Sequence, residues 1–233
     1  MTILKRYYPG SYSDEQYQLD KLIVRHALFI SSAFIIVLWL VKVFEFEFNY
    51  EFSKWGILPH TASGLRGLFF APLIHADFDH LIANSFPIFI LTFTLFFFYR
   101  KSAYLIFFLI YFLSGLFVWI AGREVIHIGA SGVIYGLAAF LFLSGIISYN
   151  IRLLTISLIV ALFYGGLFWG IFPYKPHISW ESHFWGGISG LALAVLFRKS
   201  APSNSHYDSE QEDQDQEDEN NFDSDSDQTE DLR

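Results

Sequence analysis

Long apolar runs separated by short polar joints dominate the chain between residues 27 and 199. An α-helix needs about 20 apolar residues to cross a hydrocarbon core about 30 Å thick. Six runs approach or reach that length: 27–44, 80–99, 102–121, 131–149, 152–172 and 183–197. The last is only about 15 residues, some 22 Å of helix, so it needs close neighbours or a thin stretch of bilayer. The pattern predicts an all-α polytopic membrane protein, a bundle of six transmembrane helices filling 27–199. Polar stretches flank it at 1–26 and 200–233.

The joint between the first two spans, about 35 residues over 45–79, is too long for a plain connection. Its stretch KWGILPHTASGLRGLFFAPLIH mixes aromatics, proline and an apolar run shorter than a span. It is expected to lie in the membrane boundary as an interfacial first outer loop. A re-entrant loop is the alternative.

Composition agrees with lipid as the solvent: 53% of residues are hydrophobic, 20% are aromatic and 27 are Phe. The absence of cysteine excludes disulfides, thiolate catalysis and cysteine-held zinc. The first 25 or so residues show neither the short apolar core nor the small-residue cleavage site of a secretory leader. The first span is therefore expected to direct insertion.

The net charge of -8 is unevenly spread. From His206 onward there are 13 acidic residues against one Arg, whereas the remainder carries 14 basic and 10 acidic residues. The end of the chain cannot bury enough apolar surface to fold alone, so 200–233 is read as a disordered acidic tail. Basic residues assign sides to the spans. Lys5, Arg6, Lys21, Arg25, Arg100, Lys101, Arg152, Arg198 and Lys199 all fall on one face if both termini are cytoplasmic. Glu45, Glu47, Glu51, Asp77, Asp79, Glu124 and Glu181 then fall on the other.

That orientation places the starts of spans two, four and six together at the outer side. Each start is polar: His80 and Asn84, Ser131, and His183. Polar side chains at such depth need partners, because hydrocarbon supplies none. Gly132 and Gly136 in span four, and Gly186, Gly190 and Ala194 in span six, recur every four residues and permit close backbone approach. Such packing would bring the Ser131 hydroxyl within reach of a His183 nitrogen, the pairing of nucleophile and general base. Tyr135, one turn after Ser131, could pack on that imidazole. His80 and Asn84 share a helical face and offer donors for an oxyanion, to which the Ser131 amide would add. Taken alone, Ser131, Gly132 and Gly136 would read as packing residues, and Val133 breaks the G-x-S-x-G elbow.

In combination these residues resemble the rhomboid intramembrane serine proteases. Gly129-Ala130-Ser131-Gly132 followed by Tyr135 is similar to their nucleophile motif. His183 with Gly186, Gly190 and Ala194 is similar to their H-x-x-G-x-x-x-G-x-x-x-A helix. His75, His80 and Asn84 match H-x-x-x-x-H-x-x-x-N. The resemblance covers about 27–198 and leaves the acidic tail outside it. It implies Ser131 as nucleophile, His183 as base, and His80, Asn84 and the Ser131 amide as oxyanion donors. Gly129, Gly132, Tyr135, Gly186 and Gly190 would support them. It also implies transmembrane protein substrates entering between spans two and five, a membrane-lipid environment, no cofactor and no nucleic acid. Arg66, after Leu65, stands where the family often has Trp-Arg, with Trp55 upstream. The minimal architecture suggests a bacterial plasma membrane.

Other readings compete. A zinc site could draw on His75, His80, His127 and His183, but the spacing of five between the first two suits one helical face poorly. Taken singly, His75 and His127 read as interfacial histidines satisfied by water. A transporter would show related halves, and no repeat is evident. A non-proteolytic rhomboid-like factor that binds membrane proteins is the remaining alternative. Gly166 and Gly170 in LFYGGLFWGIFP read as packing residues of span five.

Overall fold

The computed structural model describes residues 14–163 and 179–200, with side chains over 17–162 and 179–200. Six longer helices run through the described residues: α1 (Asp14–Glu47), α2 (Phe78–Tyr99), α3 (Ala103–Ala121), α4 (Ser131–Ile147), α5 (Ile151–Phe163) and α6 (Trp180–Leu196). No strand is present among the described residues. The one extended pairing there is an isolated antiparallel bridge between Ile57 and His127. The all-α expectation holds. Among the described residues three helices are long and apolar enough to cross a membrane: Tyr17–Glu47, Phe78–Tyr99 and Ala103–Ala121. Ser131–Ile147 and Ile151–Leu162 are apolar but shorter.

The boundaries carry physical reasons. α2 begins two residues before the expected 80, because the Asp77 carboxylate accepts the His80 amide at 2.7 Å and caps the first turn. α1 departs most from expectation. Its 34 residues, about 51 Å of helix, extend well before the 27–44 apolar run, through a polar stretch that hydropathy alone does not register. The expected end of span five, 164–172 with Gly166 and Gly170, lies outside the described residues. So do 1–13 and the acidic tail from 201 onward.

α4 is the hub. It packs against α2, α3, α5 and α6, and every residue from Ser131 to Leu137 is buried. Around it gather Leu81, Ile88 and Leu91 of α2, Ile106 and Ile110 of α3, Leu153 of α5 and Leu193 of α6. The outer faces are apolar as well: Phe29, Phe86, Phe108 and Leu196 are all more than half exposed. An apolar exterior around a polar-spotted interior suits a membrane protein.

α1 is fixed to the loop leading into α2 by a buried lysine. Lys42 Nζ donates to Glu45 Oε2 at 2.8 Å and to the carbonyl oxygens of His75 and Ala76 at 3.0 and 2.9 Å. The charge of a lysine that is only 9% exposed is tolerable only with such a set of acceptors.

The segment between α1 and α2 is a succession of tight turns, Ser53–Trp55, Ser63–Arg66, Gly67–Phe70 and Ala71–Leu73, none of spanning length. Hydrogen bonds fasten it to α3 and to the approach to α4. Trp119 Nε1 donates to the Thr61 carbonyl at 2.8 Å, and Ile57 and His127 exchange backbone bonds of 2.9 and 2.8 Å. Arg66 donates to the Lys54 carbonyl at 2.7 Å and lies 5.6 Å from the Trp55 ring. The arginine and tryptophan, separated in sequence, thus brace the loop together.

Candidate active site

Ser131 opens α4, and the three residues before it are shaped by what surrounds them. Gly129 has φ of 106°, a conformation that a Cβ makes costly. A Cβ built there would also lie 2.8 Å from His80 Cε1, so the missing side chain makes room for that imidazole. The Gly129 amide donates to the Ala71 carbonyl at 2.8 Å, and the Ala130 amide to His75 Nε2 at 3.4 Å. The loop before α2 therefore holds the approach to Ser131 in place.

His183 lies in the first turn of α6. Its Nε2 is 2.9 Å from Ser131 Oγ, and each residue is 8% exposed. The Tyr135 ring is stacked on the imidazole, with centroids 4.2 Å apart and planes 7° apart. The glycine stripes explain how two helices come so near. A Cβ on Gly186 would lie 2.1 Å from the Gly132 carbonyl oxygen, and one on Gly190 would lie 2.0 Å from that of Gly136. Any side chain there would force the backbones apart.

α2 brings His80 against Gly129, and Asn84 follows one turn later with 2% exposure. The first-turn amides of α4, Ser131 among them, have no carbonyl a turn earlier within the helix and sit at its positive end. The His80 ring of α2 and the first amides of α4 thus flank the start of that helix. A pocket of about 20 Å³ lies beside Gly129 and Gly132, with Ser114, His127 and Ser182 on its wall. It has room for roughly one water.

The expectation that His75 and His127 are wetted, interfacial histidines is overturned: they are 2% and 1% exposed. His75 stands nearly edge-on to His80 at 5.1 Å. Burial, reinforced by His80 and Lys42 nearby, holds its pKa down at about 3. The neutral ring can accept the Ala130 amide through Nε2. Burial also lowers the His127 pKa. His127 Nε2 lies 3.0 Å from the Arg123 carbonyl, which can only accept, so Nε2 carries the proton. Nδ1, 2.6 Å from Ser179 Oγ, is then the acceptor, and Ser182 Oγ continues the chain at 2.6 Å from Ser179. The four imidazoles considered as zinc ligands do not converge. His127 turns to Ser179 and Arg123, and His183 to Ser131.

Sequence reasoning missed an ionic contact beside the site. The Arg123 guanidinium grips both oxygens of Glu181, through Nε to Oε1 and through Nη2 to Oε2 at 3.1 Å. The sequence pattern marks Glu181 only as one of the outer acids. A carboxylate two residues before a candidate base, at the start of an apolar helix, was the available signal.

The Rhomboid domain family matches residues 62–200, more than half of the chain. An uncharacterized protein of Mycobacterium tuberculosis is 33% identical over 178 residues, covering 72% of this chain and 73% of its own length. One from Mycobacterium leprae is 30% identical over 181 residues, covering 72% and 70%. A protein of Acanthamoeba polyphaga mimivirus, named as a rhomboid, is 30% identical over 172 residues, covering 70% of this chain and 89% of its own.

Proposed function

The chain belongs to the rhomboid family, and we propose that it is an intramembrane serine endopeptidase using Ser131 and His183 as a dyad. The observation that carries the reading is the 2.9 Å separation of Ser131 Oγ and His183 Nε2 between two glycine-packed helices. With its proton on Nδ1, His183 takes the Ser131 proton through Nε2 as the oxygen attacks a scissile carbonyl. The oxyanion forms beside the α4 amides and receives donors from the Ser131 N–H, His80 and Asn84. His183 returns the proton to the leaving amine, and water then releases the acyl group from Ser131. The pocket beside Gly132 has the size to hold that water. Tyr135 keeps the imidazole in its plane, the orienting task for which a triad uses a carboxylate.

The substrates in this reading are transmembrane segments of other proteins. All six helices span, the shorter α4 being surrounded by other helices and the shorter α5 and α6 each packed against it, and the first outer loop rests at the membrane boundary. Both termini are cytoplasmic, in a bacterial plasma membrane. The distribution of basic residues supports that orientation, and exposed Leu65, Phe69 and Phe70 support the loop's seat.

Purified protein in detergent is expected to cut a model transmembrane substrate. Ser131→Ala and His183→Ala should each abolish cleavage while retaining the wild-type melting profile. Undiminished cleavage in either variant would falsify the dyad. A wild-type protein that binds such substrates without cutting them would favour the non-proteolytic alternative.

A further inference from the structure

We propose that Arg123 and Glu181 form a positioning clamp that sets the axial and rotational register of α6 against α4, and so aims His183 at Ser131. The proposal rests on the protease reading above. Glycine faces in contact determine how close two helices come. They do not by themselves aim a side chain in the first turn of α6, which lies one turn before the Gly132–Gly186 contact. Something else must hold register at the outer end, where the hydroxyl and the imidazole meet.

Two ties do so, both joining 123–127 to 179–182. The first is the bidentate pair, in which a planar fork meets a planar carboxylate and constrains direction as well as distance. The second is the chain His127–Ser179–Ser182, with both links at 2.6 Å. The first segment reaches Ser131 within a few residues. On the second, Glu181 stands two residues before His183. Burial marks the ion pair as built rather than incidental: the Glu181 side chain is 2% exposed, while that of Arg123, at 42%, roofs it from outside. A carboxylate so removed from water is held there by the fork and by the positive end of α6.

The test uses the full chain in detergent, with two readouts: steady-state cleavage of a model transmembrane substrate, and the rate of Ser131 labelling by a fluorophosphonate. Glu181→Gln and Arg123→Ala are expected to lower kcat about ten- to hundredfold, with KM within about twofold, as a misplaced base would. Labelling should slow in parallel. Arg123→Lys should fall between, since a point ammonium cannot span both oxygens. The double variant Arg123→Ala/Glu181→Gln should lose no more than Arg123→Ala alone, because the pair acts as a unit. Exposed Glu124→Gln serves as the control with unchanged rates.

If Arg123→Ala does not fold, Glu181→Gln and Arg123→Lys carry the test. Rates per folded molecule equal to wild type, losses confined to KM, or single losses that multiply in the double variant would each overturn the clamp. A wild-type protein that neither cleaves nor labels would instead overturn the protease reading, and the clamp's catalytic part with it.

Discussion

The Tyr135 ring lies flat on the His183 imidazole, 4.2 Å between centroids and 7° from parallel. A ring held on one face and hydrogen-bonded at one nitrogen has little freedom left about its side-chain torsions. Stacking of this kind is worth about 0.5–1.5 kcal/mol beyond the area it buries. Tyr135→Phe retains the stacked face and should keep kcat within about threefold of wild type, whereas Tyr135→Ala should lower it about ten- to hundredfold. Steady-state kinetics on one substrate decide the matter, and equal rates in the two variants would remove the orienting role.

Donors to a developing oxyanion matter only when charge forms. Asn84→Ala should therefore lower kcat about a hundredfold and leave KM little changed. His80→Ala should behave similarly, with an added structural cost because its ring fills the space opposite Gly129. A variant of Asn84 that turns over at the wild-type rate would take that side chain out of the mechanism.

Two adjacent glycines of α6 should respond in opposite ways. At Gly186 a methyl group would meet the Gly132 carbonyl at 2.1 Å, and at Gly187 it would meet nothing within 4 Å. Gly186→Ala should destabilise by about 1–3 kcal/mol and depress activity as α4 and α6 part. Gly187→Ala should be neutral or stabilise by up to about 1 kcal/mol, through helix propensity. Thermal melts of the two variants in one detergent compare them directly.

Buried neutral histidine makes the fold acid-sensitive. His75 titrates at about 3 in the folded protein against 6.5 when unconstrained. Between those values the unfolded chain binds a proton that the folded chain refuses. Stability should thus fall as pH drops below about 6.5, by up to about 1.4 kcal/mol per unit from this residue, and level off near pH 3. His127, lowered for the same main reason, adds in the same direction. His75→Gln should flatten the profile by about one proton's share, which unfolding curves across that range would reveal. An unaltered slope would mean that folding leaves the His75 pKa where it is in the unfolded chain.

Much of this architecture was legible because it is written locally. Spans at 80–99 and 102–121 fall within two residues of α2 and α3, since twenty apolar residues announce themselves. The spacing of Gly186 and Gly190 pointed to the contact with Gly132 and Gly136, because a four-residue period fixes a helical face. What stayed hidden was non-local. Lys42 reaches carbonyls 33 and 34 residues away, and Arg123 finds Glu181 at a separation of 58. His75 and His127 looked water-satisfied only while the amide and hydroxyl that bind them were still unplaced. The polar start of α1 was overlooked for another reason: a helix can continue past the apolar stretch that reveals it.

Between Gly132 and Gly186, and again between Gly136 and Gly190, only peptide groups separate the two helix axes. Their spacing is therefore inherited from the thickness of the polypeptide itself, a dimension that no exchange of Leu for Phe elsewhere in the bundle can alter. Sequence drift among the surrounding lipid-facing positions can remodel the exterior of this molecule freely and leave that gauge untouched.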